Sequence, residues 1–189
     1  MKVIQLHQEE KQLIMLAIEN NRQAQQQIYA KFSSNMLSVC RQYIKDIHHA
    51  EDVMITGFMK VFTNLKNFEH KGSFEGWIRR IMVYECIDFL RVKKNNVNHK
   101  DIEDITVSEN ESVYEMEDFS VDDIQNMIDN LPDGYKMVFN LYAIEGYKHQ
   151  EIAEMLKISE GTSKSQLSHA RKLLQQQITD LKNKLNGTK

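Results

Sequence analysis

A single proline and seven glycines in 189 residues leave little to interrupt a helix. Leu, Ile, Met, Gln, Glu and Lys are plentiful, so the chain is expected to be all-α. Apolar runs are short, far below the roughly 20 residues that cross a bilayer. The start, "MKVIQLHQEEKQ", turns polar too early for a secretory leader. A cytoplasmic protein without membrane insertion is the resulting expectation. Cysteine is scarce too: Cys40 and Cys86 stand alone in apolar helical patterns, without the paired spacing of a disulfide framework or a zinc site. Both are expected to be reduced core residues. Adjacent residues on a helix point about 100° apart, so His48 and His49 do not suggest a shared metal. No carboxylate pair, nucleophile with a base, phosphate loop or metal-ligand spacing stands out, and neither catalysis nor a cofactor is expected.

What the chain has is charge, unevenly spread. The net value is −3, yet residues 1–94 hold 14 basic and 10 acidic side chains, residues 95–130 hold 1 and 11, and residues 131–189 hold 9 and 6. Both ends are basic and the middle is strongly acidic. The stretch "NNVNHKDIEDITVSENESVYEMEDFSVDD" has no sustained apolar period and too little to bury for folding alone. The division expected is a first helical domain over 1–94, a flexible acidic linker over 95–121 and a second helical domain over 122–189. The linker reads either as a solvated tether or as a nucleic-acid mimic for a basic channel on a partner. Asp101, Glu103 and Asp104 lie within it, where no rigid frame would hold metal ligands.

In the first domain Ile28, Phe32, Met36, Val39 and Tyr43 recur at three- and four-residue steps, the stripe of an amphipathic helix. Val53, Phe58, Phe62 and Leu65 mark another. A break follows at "EHKGS", where Ser73 is placed to cap the next helix. On that helix Phe74, Ile78, Met82, Cys86 and Phe89 share one face. About 120° away lie Trp77, Arg80, Tyr84, Asp88 and Arg91, with Lys93 and Lys94 extending the charge. Interleaved aromatics and cations suit a platform for unpaired bases, since any base stacks on a ring while cations hold the backbone. Packing of Trp77 and Tyr84 against a neighbouring helix is the plainer alternative.

The second domain opens with Pro132, suited to a helix start, and Gly146 suits that helix's end. The segment "HQEIAEMLKISEGTSKSQLSHARKLL" then reads as two helices about a tight turn. Taking Ser163 as 0°, Leu167, Ala170 and Leu174 fall within about 40° of it. Lys164, Ser165, Ser168, His169 and Lys172 lie on the far side, and Gln166 and Arg171 flank them within reach of backbone phosphates. Ile152 and Leu156 bury the preceding helix, Ala153 allows a close crossing, Ile158 plugs the turn, and Ser159 caps the second helix. The pattern is a helix-turn-helix, whose second helix enters a major groove. A plain helical hairpin would have no need of that outward face.

These blocks in this order resemble an extracytoplasmic-function sigma factor of the sigma-70 family. "HAEDVMITGFMKVFTNLKNF" followed by "GSFEGWIRRI" looks like region two, and "LPDGYKMVFNLYAIEGYKHQEIAEMLKISEGTSKSQLSHARKLL" like region four. The resemblance implies a subunit that directs RNA polymerase core to promoters. It implies that Glu51, Asp52, Phe58 and Phe62 meet the polymerase β′ clamp. It implies that His70, Lys71, Gly72, Ser73, Phe74, Trp77, Arg80, Tyr84 and Arg91 hold the melted minus-ten strand. Thr162, Lys164, Ser165, Gln166, Ser168, His169, Arg171 and Lys172 would read the minus-thirty-five duplex, and the linker would follow the RNA exit path. Proteins of this type are commonly held by an anti-sigma factor, which joins polymerase and promoter DNA among the expected partners. The chain departs from the family pattern with Ile55-Thr56 for Gln-Glu, Tyr84 for Asn, Ser163 for an apolar residue, and Gln166 and His169 for arginines. A stand-alone helix-turn-helix regulator, binding duplex as a dimer, is the competing reading; it leaves the Trp77 face unused.

Overall fold

The computed structural model describes residues 2–96 and 120–186, with side chains over 9–92 and 120–183. These residues are helical and contain no strand, as expected of an all-α chain. They divide into two compact units, 1–95 and 96–189, treated separately below. The acidic segment proposed as a linker falls almost entirely at 97–119, outside the described residues, as do the side chains of Lys93 and Lys94.

The first unit contains α1 (Lys2–Ile18), α2 (Arg22–Tyr43), α3 (Ile47–Asn64), a 3₁₀ turn (Leu65–Asn67) and α4 (Phe74–Asn96). Short polar side chains start the helices. The Ala24 N–H donates to Asn21 Oδ1 at 3.0 Å and the His49 N–H to Asp46 Oδ1 at 2.9 Å, each meeting an orphan donor of a first turn. The His49 N–H holds the Asp46 carboxyl below its ordinary range. Ser73 caps α4 through its Oγ, which accepts from the Gly76 N–H at 3.0 Å. The α2 stripe of Ile28, Phe32, Met36, Val39 and Tyr43 is wholly buried. It meets Val53, Phe58, Val61 and Leu65 from the next segment and Phe74, Ile78, Met82 and Cys86 from α4 in one core. Cys40 and Cys86 are both buried free thiols. Glu85, on the same helix as the core stripe, is buried and held by Lys60 of α3.

The second unit contains α5 (Val121–Asp129), α6 (Asp133–Phe139), a π turn (Asn140–Ile144), α7 (His149–Leu156) and α8 (Glu160–Asn186). Ser120 and Asp123 form a reciprocal capping box at α5. Pro132 stands at the N-cap of α6, one position before the first turn where its fixed φ was expected to serve. The helix expected to run unbroken to Gly146 instead widens into i→i+5 bonding, with the Glu145 N–H donating to the Asn140 carbonyl at 3.0 Å. Gly146 then takes φ +77°, the left-handed conformation a helix exit favours. Leu131, Val138, Leu141, Ile152, Leu167 and Ala170 form the core, with α6 and α7 both packed on α8.

That core also encloses charge. Lys136 Nζ stands 3.9 Å from Asp129 Oδ1, their side chains 5% and 1% exposed, and Gln125 Nε2 donates to the same carboxylate at 3.3 Å. Removing one member of a buried ion pair leaves the other uncompensated, at a cost of about 3–5 kcal/mol. Lys136→Met is therefore expected to lower the melting temperature of the second unit sharply. Lys136→Met combined with Asp129→Leu should recover most of the loss, as read by thermal denaturation followed by circular dichroism.

Candidate nucleic-acid interface

On α4 the apolar stripe fixes which residues remain outside. Trp77 is half-buried: its indole stacks on Phe74 at 5.9 Å between centroids and leans on Phe68 at 5.5 Å. Arg80 and Tyr84 are exposed one turn apart, the guanidinium 5.9 Å from the Tyr84 ring centre. Arg91 is held by Asp88 at 2.9 Å. The segment before α4 is anchored from below by Phe68, 8% exposed, whose ring lies 4.7 Å from that of His70. His70 takes φ +56° and Gly72 φ +93°, so the backbone reverses twice there and presents Lys71, Gly72 and Ser73 on the surface. Lys71 pairs with Glu69 at 2.6 Å.

Phe74 does not belong with the exposed members of this group. It is 2% exposed and sits between Phe32, Phe68 and Trp77, because it is the first residue of the core stripe. Phe58 likewise is 2% exposed, wedged against Tyr29 and Phe62, and has no surface to offer a partner. Their neighbours do. Glu51 and Phe62 are half-buried and Asp52 is exposed on α3. Between them Ile55 and Met59 are 49% and 68% exposed, one turn apart. Met59 went unnoticed in the sequence; the signal was an apolar pair at i, i+4 on the polar side of an amphipathic helix.

In the second unit α7, the turn at Lys157–Ser159 and α8 form the expected helix-turn-helix. Lys157 adopts φ +57°, ending α7, and the Thr162 N–H donates to Ser159 Oγ at 2.9 Å, capping α8. Lys164, Ser165, Ser168 and Arg171 are exposed, as is Thr162, whose hydroxyl meets Ser159 Oγ at 2.8 Å. Lys172 is half-buried. Two side chains are turned to internal work. His169 stacks on Tyr135 of α6 at 5.4 Å and 17°, leaving it half-exposed. Gln166 was expected to reach phosphates; it lies half-buried over Gly134, where an added Cβ would meet its amide nitrogen at 3.3 Å.

Ser163 is completely buried, and its hydroxyl is engaged: Oγ stands 2.9 Å from His149 Nδ1 at the start of α7. Tyr142, from the π turn, stacks on the same imidazole at 4.6 Å and 22°, and the Arg171 guanidinium stands 5.7 Å from the tyrosine ring centre. A polar contact thus joins the two helices where an apolar side chain would do so by packing alone. Among the described residues no cluster of His, Cys, Asp and Glu could hold a metal ion, and no helix is long and apolar enough to cross a membrane.

Comparison with known proteins matches "Sigma-70 region 2" over residues 28–96 and "Sigma-70, region 4" over residues 121–174, in that order. The chain belongs to the extracytoplasmic-function group of the sigma-70 family. It is 29% identical over 163 residues to ECF RNA polymerase sigma factor SigW of Bacillus subtilis (strain 168), covering 79% of this chain and 86% of that one. It is 22% identical over 178 residues to the ECF RNA polymerase sigma-E factor of Haemophilus influenzae, covering 86% and 92%. Its fold is similar to that of the sigma factor RpoE in complex with the anti-sigma factor NepR from Bartonella quintana. The TM-score is 0.53 at 18% identity, over 82% of this chain and 96% of that one. This sigma factor therefore serves transcription initiation, with α2–α4 forming region two and α5–α8 carrying region four.

The His149–Ser163 contact generates a test. Ser163→Ala and His149→Ala should each lower stability by about 1 kcal/mol, the usual net contribution of a hydrogen bond. The double variant should cost measurably less than the sum of the two, a coupling read from a double-mutant cycle in urea.

Proposed function

We propose that this sigma factor docks on RNA polymerase core through α3 and reads two physical forms of promoter DNA with α4 and α8. Melted minus-ten strand would lie on the band of Trp77, Arg80, Tyr84 and Arg91, beside the segment His70 to Ser73. The minus-thirty-five duplex would take Lys164, Ser165 and Ser168 into its major groove, with Thr162, Arg171 and the half-buried Lys172 at the margins and His169 supporting the face from its stack on Tyr135. The observation that carries this reading is that one chain holds both an exposed aromatic-cationic helix face and a capped helix-turn-helix with a small, cationic outer surface. A regulator that binds only intact duplex has no use for the first of these.

Docking on the β′ clamp would use Glu51 and Asp52 for charge complementarity, with Ile55, Met59 and Phe62 giving the apolar centre of the contact. Phe58 and Phe74 act from behind, supporting the surfaces that α3 and the indole present. The chain does no chemistry of its own; the polymerase does. Conversion from duplex to open complex would draw on stacking, worth about 1–3 kcal/mol per base. An anti-sigma factor, the partner seen with the Bartonella protein, fits as a regulator that covers these same faces. A cytoplasmic site of action follows from the proposed partners.

Core polymerase mixed with the purified chain on promoter fragments, assayed separately for association and for open-complex formation, tests the reading. Trp77→Ala and the more exposed Tyr84→Ala should each reduce open-complex formation about tenfold or more while leaving polymerase association unchanged. Equal loss of both would reject the single-strand platform. Ile55→Asp with Met59→Asp should do the opposite, weakening core association about tenfold with the isolated chain still folded. Retention of wild-type association would remove α3 from the interface.

A further inference from the structure

The first turn of α8 carries a carboxylate where a helix approaching DNA gains least from one. Glu160 opens the helix, and its Oε1 accepts from Lys164 Nζ at 2.7 Å; the side chains are 50% and 60% exposed. The ammonium holds the Glu160 carboxyl below the ordinary carboxylate range, so it is ionised and accepts only. Glu160 is not needed as a cap, since Ser159 Oγ already serves the Thr162 N–H. Gly161, Ser165 and Ser168, all exposed, keep the adjoining surface low, so that the two longer side chains stand above it. N-terminal residues of a recognition helix are those that meet base edges.

An anion brought against phosphates is repelled unless a donor meets it. The major groove offers two kinds of donor, the N4 amine of cytosine and the N6 amine of adenine. Cytosine N4 lies at one end of its base-pair edge, with both guanine acceptors, O6 and N7, on the other side. Adenine N6 lies between two acceptors, N7 and thymine O4, with the thymine methyl beyond, so a carboxylate aimed there meets lone pairs on both flanks. A Glu and a Lys side by side therefore match the edge of a G·C pair.

We infer that Glu160 and Lys164 together read one G·C pair of the upstream promoter element, Lys164 donating to guanine and Glu160 accepting from cytosine. The inference rests on the proposed role of α8 as the duplex-reading helix. Glu160 then acts largely by exclusion: at every other base pair its charge meets at least one acceptor lone pair, and specificity comes from that penalty as much as from the favourable contact. Lys164 is delivered to the groove already oriented by its partner.

The test uses the full chain assembled with core polymerase, on a promoter library randomised through the upstream element, with transcripts sequenced to give the preference at each position. The wild type is expected to favour G·C about tenfold at one position. Glu160→Ala should flatten that position to near indifference and leave the others unchanged. Glu160→Gln should shift it toward A·T, because a glutamine amide pairs with both N6 and N7 of adenine. Wild-type preferences retained in Glu160→Ala would overturn the inference, leaving the pair as an intrahelical bridge, and so would a Glu160-dependent position that favours A·T. Lys164→Ala and Ser168→Ala separate the two levels. If they alter upstream preference while Glu160→Ala does not, only this inference falls; if the wild type is indifferent throughout the element, the reading of α8 falls with it.

Discussion

The 3.6-residue period of the α-helix is the constraint on which both units depend. Each helix is committed on one side to a core it cannot build alone, and whatever meets a partner must be written on the residues left over. On α4 the core takes Phe74, Ile78, Met82 and Cys86, leaving Arg80 and Tyr84 outside with Trp77 at the boundary. On α8 it takes Ser163, Leu167 and Ala170, leaving Lys164, Ser165 and Ser168. The surface proposed to meet DNA is thus the complement of the packing surface, and the packing sets its direction. The proposed base platform needs a ring held at a fixed tilt, and the Trp77 indole has that from its contacts with Phe68 and Phe74.

The second unit adds a different device. It is small, and small cores bury a modest fraction of their surface, yet it encloses Asp129, Lys136, Asn140 and Ser163. Apolar contacts are indifferent to small rotations; a hydrogen bond is not. The Ser163–His149 contact fixes the rotation of α8 against α7 near the start of α8, and Tyr142 stacks on the same imidazole. Tyr142 lies within the π turn, beside the start of α7.

Residue type and angle alone foretold much of this. The buried stripe of α2, the caps Ser73 and Ser159, the break at "EHKGS" and the helix-turn-helix all follow from local chemistry, where the competing interactions lie within a few positions of each other. The sequence was silent where a side chain's fate depends on a residue distant along the chain. A wheel gives Gln166 and His169 an outward heading but cannot know that α6 brings Gly134 and Tyr135 beside them. It ranks Ser163 a poor core residue because the imidazole that meets its hydroxyl is fourteen positions away. Phe58 and Phe74 fall in motifs associated with contacts, and burial overrides the association. The π turn leaves no mark in the apolar spacing, because the helix ends within the turn itself at Ile144 and no further residues display the rotated face.

Charge is segregated for a related reason. A protein that held promoter DNA unaided would need many phosphate contacts and a strongly basic surface, with affinity that collapses as salt rises. This chain is net −3, and on the helix proposed to read the duplex Lys164 is tied to a carboxylate. Such a surface discriminates better than it holds. Discrimination is the useful property if anchorage comes from elsewhere: attachment to a polymerase already on the template raises the local concentration of each reading face without any added contact. Under the proposed function, weak phosphate binding by the free chain would keep it off the large excess of nonspecific sites.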